Sequence, residues 1–91
     1  MADFRLQIVT QQKTVFNQDV TAATLPGEDG FFGVLAHHAA IIAVLRQGPV
    51  VLRQGTKVTE FLIDGGFFEM ESNKATLLAD GLSGLAIAED E

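Results

Sequence analysis

Leu25-Pro-Gly-Glu-Asp-Gly-Phe-Phe-Gly-Val-Leu-Ala-His-His-Ala-Ala-Ile-Ile42 is the stretch on which the reading of this chain turns. It gathers three glycines, two acids, two adjacent phenylalanines and both histidines of the protein into eighteen residues. Pro26-Gly27 and Asp29-Gly30 are turn signals, and Phe31 to Leu35 has the composition of a strand leaving that turn. Backbone freedom is expected at Gly27, Gly30 and Gly33, because glycine takes positive φ without steric cost. Phe31 and Phe32 then lie on or beside a turn, where large apolar side chains suggest a contact surface.

Working outward, the pattern is β on both sides. Phe4-Arg-Leu-Gln-Ile8 alternates apolar and polar residues with period two, as a half-buried strand does. Thr14 to Asn17 and Val20 to Leu25 are short and rich in β-branched residues. Gln47-Gly48-Pro49 punctuates the chain before Val50-Val-Leu-Arg53, and Gln54-Gly55-Thr56 closes a hairpin onto Lys57 to Ile63. Gly65-Gly66 separates two strand-like runs and suggests a bulge or sharp bend. Phe67 to Glu71, the turn at Ser72-Asn73, and Ala75 to Ala79 complete the series. Short strands at regular spacing predict an all-β sandwich or barrel. Ala39 to Leu45 has a helical alternative that seven residues are too few to decide. Gly81 to Glu91, with Leu82, Leu85, Ile87 and two glycines, reads as a loosely packed tail.

Ninety-one residues make one small domain, and 47% apolar residues support a real core. No run of eighteen apolar residues is present, and Met1 to Arg5 carries no visible secretory signal. The chain has no cysteine, which removes disulfides and thiolate metal sites. Net charge is −6, and the six basic residues, Arg5, Lys13, Arg46, Arg53, Lys57 and Lys74, are scattered. No clustered basic face is expected, so nucleic acid is not an expected partner.

The candidates for chemistry are few. His37 and His38 are adjacent, so on a strand they point to opposite faces and do not readily share a metal. Neither Ser72 nor Ser83 has a histidine nearby in sequence to act as a base. Glu69 and Glu71 share one strand face, most simply a solvent face. Glu28 and Asp29 lie in a turn, where they serve turn chemistry or present negative charge to a cationic partner. The glycines of the loop match neither a Walker loop nor a dinucleotide fingerprint, and the acids between them would repel phosphate. No catalytic residue, metal, nucleotide or cofactor is expected.

Taken in order, the motifs resemble one family. They are Phe4-x-Leu6-x-Ile8-Val9-Thr10, Val15-Phe16, Leu25-Pro26-Gly27-x-x-Gly30-x-x-Gly33-Val34-Leu35, and His38-Ala39 followed by Ile41-Ile42. Gly65-Gly66-Phe67-x-Glu69 and Leu77-Leu78-Ala79-Asp80 close the series. The run from Phe4 to Asp80 is similar to the epsilon subunit of rotary ATP synthase, called delta in mitochondria.

The resemblance implies a ten-stranded β-sandwich of two five-stranded sheets over residues 1–80, followed by a short irregular acidic tail over 81–91. It implies a non-catalytic central-stalk subunit on the cytoplasmic face of a bacterial inner membrane, or the equivalent organelle face. Its partners would be the gamma shaft and the polar loops of the membrane c-ring, with no direct insertion into the bilayer. Gly27, Glu28, Asp29, Gly30, Phe31 and Phe32 match the family's ring-facing loop. His38, Ala39, Ala40, Ile41 and Ile42 match the segment that helps meet gamma.

There are departures from the family pattern. The position of Phe31 is often polar, and proline is common at the positions of Ala36 and Ala40, so this loop is expected to be less rigid or more helical than usual. Most members continue into a helical hairpin of about fifty residues, two helices of three to four turns plus linkers. That hairpin can inhibit hydrolysis, and in some bacteria it binds ATP. Here Gly81-Leu-Ser-Gly-Leu85 stands at its start, so coupling without helix extension or ATP sensing is expected. Two alternatives stay open: a free-standing β-sandwich that binds a ligand or acts as an adaptor, and a small metal enzyme using His37 or His38.

Overall fold

Alternation along the chain builds the first pair of strands. In β1 (Phe4–Val9) the side chains of Phe4, Leu6 and Ile8 are fully buried, with Arg5 exposed between them. Opposite lies β2 (Thr14–Val20), antiparallel, with Phe16 set against Ile8 and Val20 against Phe4. The computed structural model describes residues 2–88. The further strands are β3 (Ala22–Gly27), β4 (Gly30–Leu35), β5 (Ile41–Gln54), β6 (Lys57–Glu71), β7 (Lys74–Ala79) and β8 (Leu82–Ala88). No helix occurs among the described residues, so the all-β class expected from the sequence is the class observed.

The strands are hydrogen-bonded as one continuous sheet in the order β2-β1-β7-β6-β5-β3-β4, with β8 paired to β6. Two long strands explain the continuity. β5 and β6 run antiparallel in constant register from Gln54↔Lys57 to Ile41↔Met70. On its other edge β6 pairs with β8 as far as Ile63 and with β7 from Gly66 onward. The exchange of partners falls at Gly65-Gly66, where φ is +116° and +156°. Gly66 has no room for a side chain, since a Cβ there would come within 2.2 Å of the Leu78 carbonyl oxygen.

Among the described residues there are eight continuous strands in one hydrogen-bonded sheet, instead of ten in two separate sheets, because β5 and β6 each run from one layer into the other and so serve both. Cut at the bend, the pairings fall into one group containing β2, β1, β7 and the adjoining halves of β6 and β5. The other group holds β4, β3, β8 and the remaining halves of the two long strands. Edge-to-face ring pairs join the two layers, Phe16 to Phe61 at 5.7 Å and Phe32 to Phe68 at 6.1 Å between centroids. They belong to a single core that includes Leu25, Leu52, Ile63, Met70 and Leu77. At the far edge the Gln54 side-chain amide donates to Gln18 Oε1 (2.8 Å) and to the Asp19 carbonyl (3.1 Å), strapping β5 to β2.

Both prolines fall where the ladder has no use for an N–H. The β3–β5 pairing is interrupted between Thr24 and Gly27, a span that contains Pro26. Pro26 lies against Gly48, the neighbour of Pro49. The segment 81–91, read as a loose irregular tail, is corrected as well. Leu82–Ala88 is β8, antiparallel to Val58–Ile63 of β6, and the irregularity in its register lies beside Gly84. Glycine there accommodates a shift in pairing instead of ending the strand. The acidic residues 89–91 of the expected tail lie outside the described residues.

Candidate functional site

The β3–β4 hairpin is closed by two residues, Glu28 and Asp29, between the paired glycines Gly27 and Gly30. Positive φ, expected at three glycines of this stretch, occurs only at Gly30, at +135°. Gly27 is required by space, since a Cβ would meet the Gly30 carbonyl oxygen at 2.7 Å and the Phe32 ring at 2.9 Å. Gly33 has neither constraint, its nearest neighbour being 4.0 Å away. The Glu28 N–H donates to the Val44 carbonyl at 3.0 Å and fastens the hairpin tip to β5.

The two phenylalanines part company, as neighbours on a strand must. Phe32 turns inward against Phe68, while Phe31 is 55% exposed. The Arg46 guanidinium stands 6.0 Å from the centroid of the Phe31 ring, at the outer limit of a cation–π contact. Glu28 and Asp29 are exposed at the tip.

The second expected segment follows β4. His38, Ala39 and Ala40 are exposed and irregular, and β5 begins at Ile41, so the helical alternative for Ala39 to Leu45 is not what forms. His37 adopts a left-handed backbone with φ +64°. Its N–H donates to Asn73 Oδ1 at 2.7 Å. The His38 N–H donates to the Leu35 carbonyl at 3.2 Å, and His38 Nδ1 lies 2.7 Å from the Ala39 carbonyl, to which the Nδ1–H tautomer donates. Among the described residues no group of three or more histidines and carboxylates is placed to hold a metal. Glu69 and Glu71 are both exposed, on the solvent face expected of them.

The structure brings the hairpin set together with one member of the other set, Ile42, and leaves His38–Ile41 apart from it. Residues 27–32 of the hairpin and residues 42–44 of β5 line one open groove. From Ile42, 71% exposed, the apolar surface continues through residues that the sequence reading passed over. Val44 pairs with Phe67 and Phe67 with Leu78, one row across β5, β6 and β7. These three side chains are 51%, 38% and 49% exposed. The signal that could have found them is the apolar doublet. On a strand, two adjacent large apolar residues put one side chain on each face. Phe67-Phe68 and Leu77-Leu78 each bury the second or the first member fully and leave the other outside, as Ile41-Ile42 and Phe31-Phe32 do in milder form.

Comparison with known proteins agrees with this architecture. Residues 3–83 match the family described as ATP synthase, Delta/Epsilon chain, beta-sandwich domain. The ATP synthase epsilon chain of Chlorobium limicola is 44% identical over 81 residues, which is 88% of this chain and 92% of that one. The epsilon chain of Protochlamydia amoebophila is 42% identical over 80 residues, 87% of this chain; the match spans only 54% of that relative's length. Among solved structures, a chain of the Euglena gracilis mitochondrial ATP synthase superposes with a TM-score of 0.84 at 23% identity, covering 96% of this chain and 54% of its own. A chain of the Tetrahymena thermophila mitochondrial ATP synthase central stalk and c-ring gives 0.75 at 21% identity, covering 86% and 63%. Those two likenesses speak for the fold, and the curated relatives for the lineage: this chain belongs to the delta/epsilon-chain β-sandwich family of ATP synthase.

Proposed function

We propose that this protein is a non-catalytic central-stalk subunit that joins the gamma shaft to the c-ring and so helps couple ion-driven rotation to ATP synthesis. One observation carries the reading: the exposed apolar row Val44-Phe67-Leu78, extended by Ile42 and continuous with the hairpin groove. An apolar row of this kind, flanked by exposed Glu69 and Glu71, has the character of a protein contact surface. In the proposed arrangement His38–Ile42 and the row beyond it face gamma. Gly27–Phe32 faces the polar loops of the ring, and the subunit is peripheral on the cytoplasmic face of a bacterial inner membrane or its organelle equivalent.

The energetics divide between the two contacts. Full burial of an apolar side chain contributes roughly 1.5–3 kcal/mol, so the half-exposed members of the row each supply a part of that. Pairs between Glu28 or Asp29 and basic loop residues are rim contacts worth about 0–1 kcal/mol each. The apolar row therefore dominates affinity, and the acidic tip chiefly orients the domain.

The rival reading, a β-sandwich enclosing a small ligand, draws less support. The grooves at residues 27–32 with 42–44 and at 40–42 with 69–71 are open clefts on the surface. A small-molecule site would bury most of its ligand. The test is co-expression with gamma. A stable pair that survives size-exclusion chromatography is the expected result, and consistent failure to co-purify overturns the proposal.

A further inference from the structure

The expected gamma-facing segment begins in an irregular stretch, and one side chain outside that stretch reaches it. Asn73 sits at the second position of the two-residue turn between β6 and β7, with φ +64°, after Ser72 with φ +53°. Its side chain ties together two distant parts of the chain. Oδ1 accepts the His37 N–H at 2.7 Å, and Nδ2 donates to the Asp3 carbonyl at 2.9 Å. One partner is a donor and the other an acceptor, which sets the orientation of the amide. Its own carbonyl accepts the Arg5 N–H at 3.3 Å. The turn, the entry to β1 and the loop after β4 therefore meet at one residue.

We infer that Asn73 is a positioning residue for partner docking. It holds the His37 backbone in its left-handed conformation and so presets residues 38–42, and this rests on the reading of that segment as a gamma contact. His37 is the last residue before the exposed run His38-Ala39-Ala40, so the hydrogen bond to Asn73 sits where the run departs from the body of the fold. A segment held in its bound geometry loses less conformational freedom on association than a free one. A side chain of another turn thus stiffens the loop from outside.

The chemistry of the turn allows a clean test. Two successive positive φ values define a turn that favours glycine, so Asn73→Gly keeps the turn and removes only the side chain. In the full chain this variant is expected to keep its melting temperature to within a few degrees, at roughly 4–8 °C per kcal/mol for a domain of this size. The amide of His37 should exchange at least about tenfold faster than in the wild type once its acceptor is gone. Affinity for recombinant gamma should fall about tenfold as the segment must order on binding.

Asn73→Asp keeps an acceptor for His37 and tolerates the left-handed backbone but loses the donation to the Asp3 carbonyl, so recovery of most of the affinity by this variant is expected and assigns the effect to the His37 contact. His37→Asn keeps the N–H and the backbone preference without the imidazole, and should bind gamma as the wild type does. The inference is overturned if Asn73→Gly frees the His37 amide and yet binds gamma normally. It is equally overturned if His37→Asn loses as much affinity as Asn73→Gly, which would assign the effect to the imidazole. Absence of gamma binding by the wild type overturns the docking reading and the inference together. Exchange at His37, measured without gamma, shows separately whether the latch exists.

Discussion

Single residues show how little freedom this fold leaves at its joints. Gly66 tolerates no Cβ, because the Leu78 carbonyl occupies that space and cannot yield without moving β7. Gly66→Ala is expected to cost about 1–3 kcal/mol, the usual penalty of forced overpacking, and chemical denaturation measures it. Phe68, fully buried between the layers, should cost about 3–5 kcal/mol on truncation to alanine. Its exposed neighbour Phe67 presents the opposite case. Phe67→Ser should cost about 1–2 kcal/mol of stability, less than Phe68→Ala, and should weaken gamma binding, as measured by titration calorimetry. The pair thus separates the structural from the proposed binding role within one doublet. Arg5 and Asp19, a cross-strand ion pair at 3.0 Å with both side chains about half exposed, should contribute no more than about 1 kcal/mol.

Elements record what the sequence made legible. The period-two run of β1, the turn-bounded apolar runs of β4 and β7 and the hairpin turn at Gly55-Thr56 were readable, the first from its alternation and the last because Gly55 takes the positive φ that a two-residue loop requires. Three features were not legible. The first half of β5 hid behind the alanines and histidines of its approach. Gly48-Pro49 looked like a boundary, though the ladder with β6 runs through it, whereas the bend expected at Gly65-Gly66 is where β6 exchanges partners. β8 looked like a tail because its glycines suggested a break, and pairing with an edge of β6 formed by residues 58–63, 19 to 30 positions earlier, is a non-local event that periodicity does not report. The hairpin turn at Glu28-Asp29 was legible from composition. The row Val44-Phe67-Leu78 was not, since its members come from three strands and meet only through register. If β8 is integral, amides of Val58–Ile63 should be protected from exchange, and weakening β8 by a Leu85→Pro substitution should expose them.

At the scale of the whole molecule, the fold is closed by its most distant partners. β1 pairs in parallel with β7, so the start of the chain lies inside the sheet, between β2 and β7. Removing residues 2–9 should therefore abolish folding outright, and circular dichroism would show loss of the β signal rather than a lowered melting point. Non-local closure of this kind also predicts slow folding, on the order of milliseconds to seconds, readable by stopped-flow refolding.

The unbroken β5–β6 ribbon has a mechanical meaning. Two sheets joined only by side chains could shear or rock against each other under a sideways load. Here the same pair of strands forms part of both, so rocking one layer against the other requires bending a ladder that holds register from Ile41↔Met70 to Gln54↔Lys57. A load applied to one layer is therefore carried through covalent backbone and hydrogen bonds into the other. In the proposed stalk role the domain would turn as one stiff body.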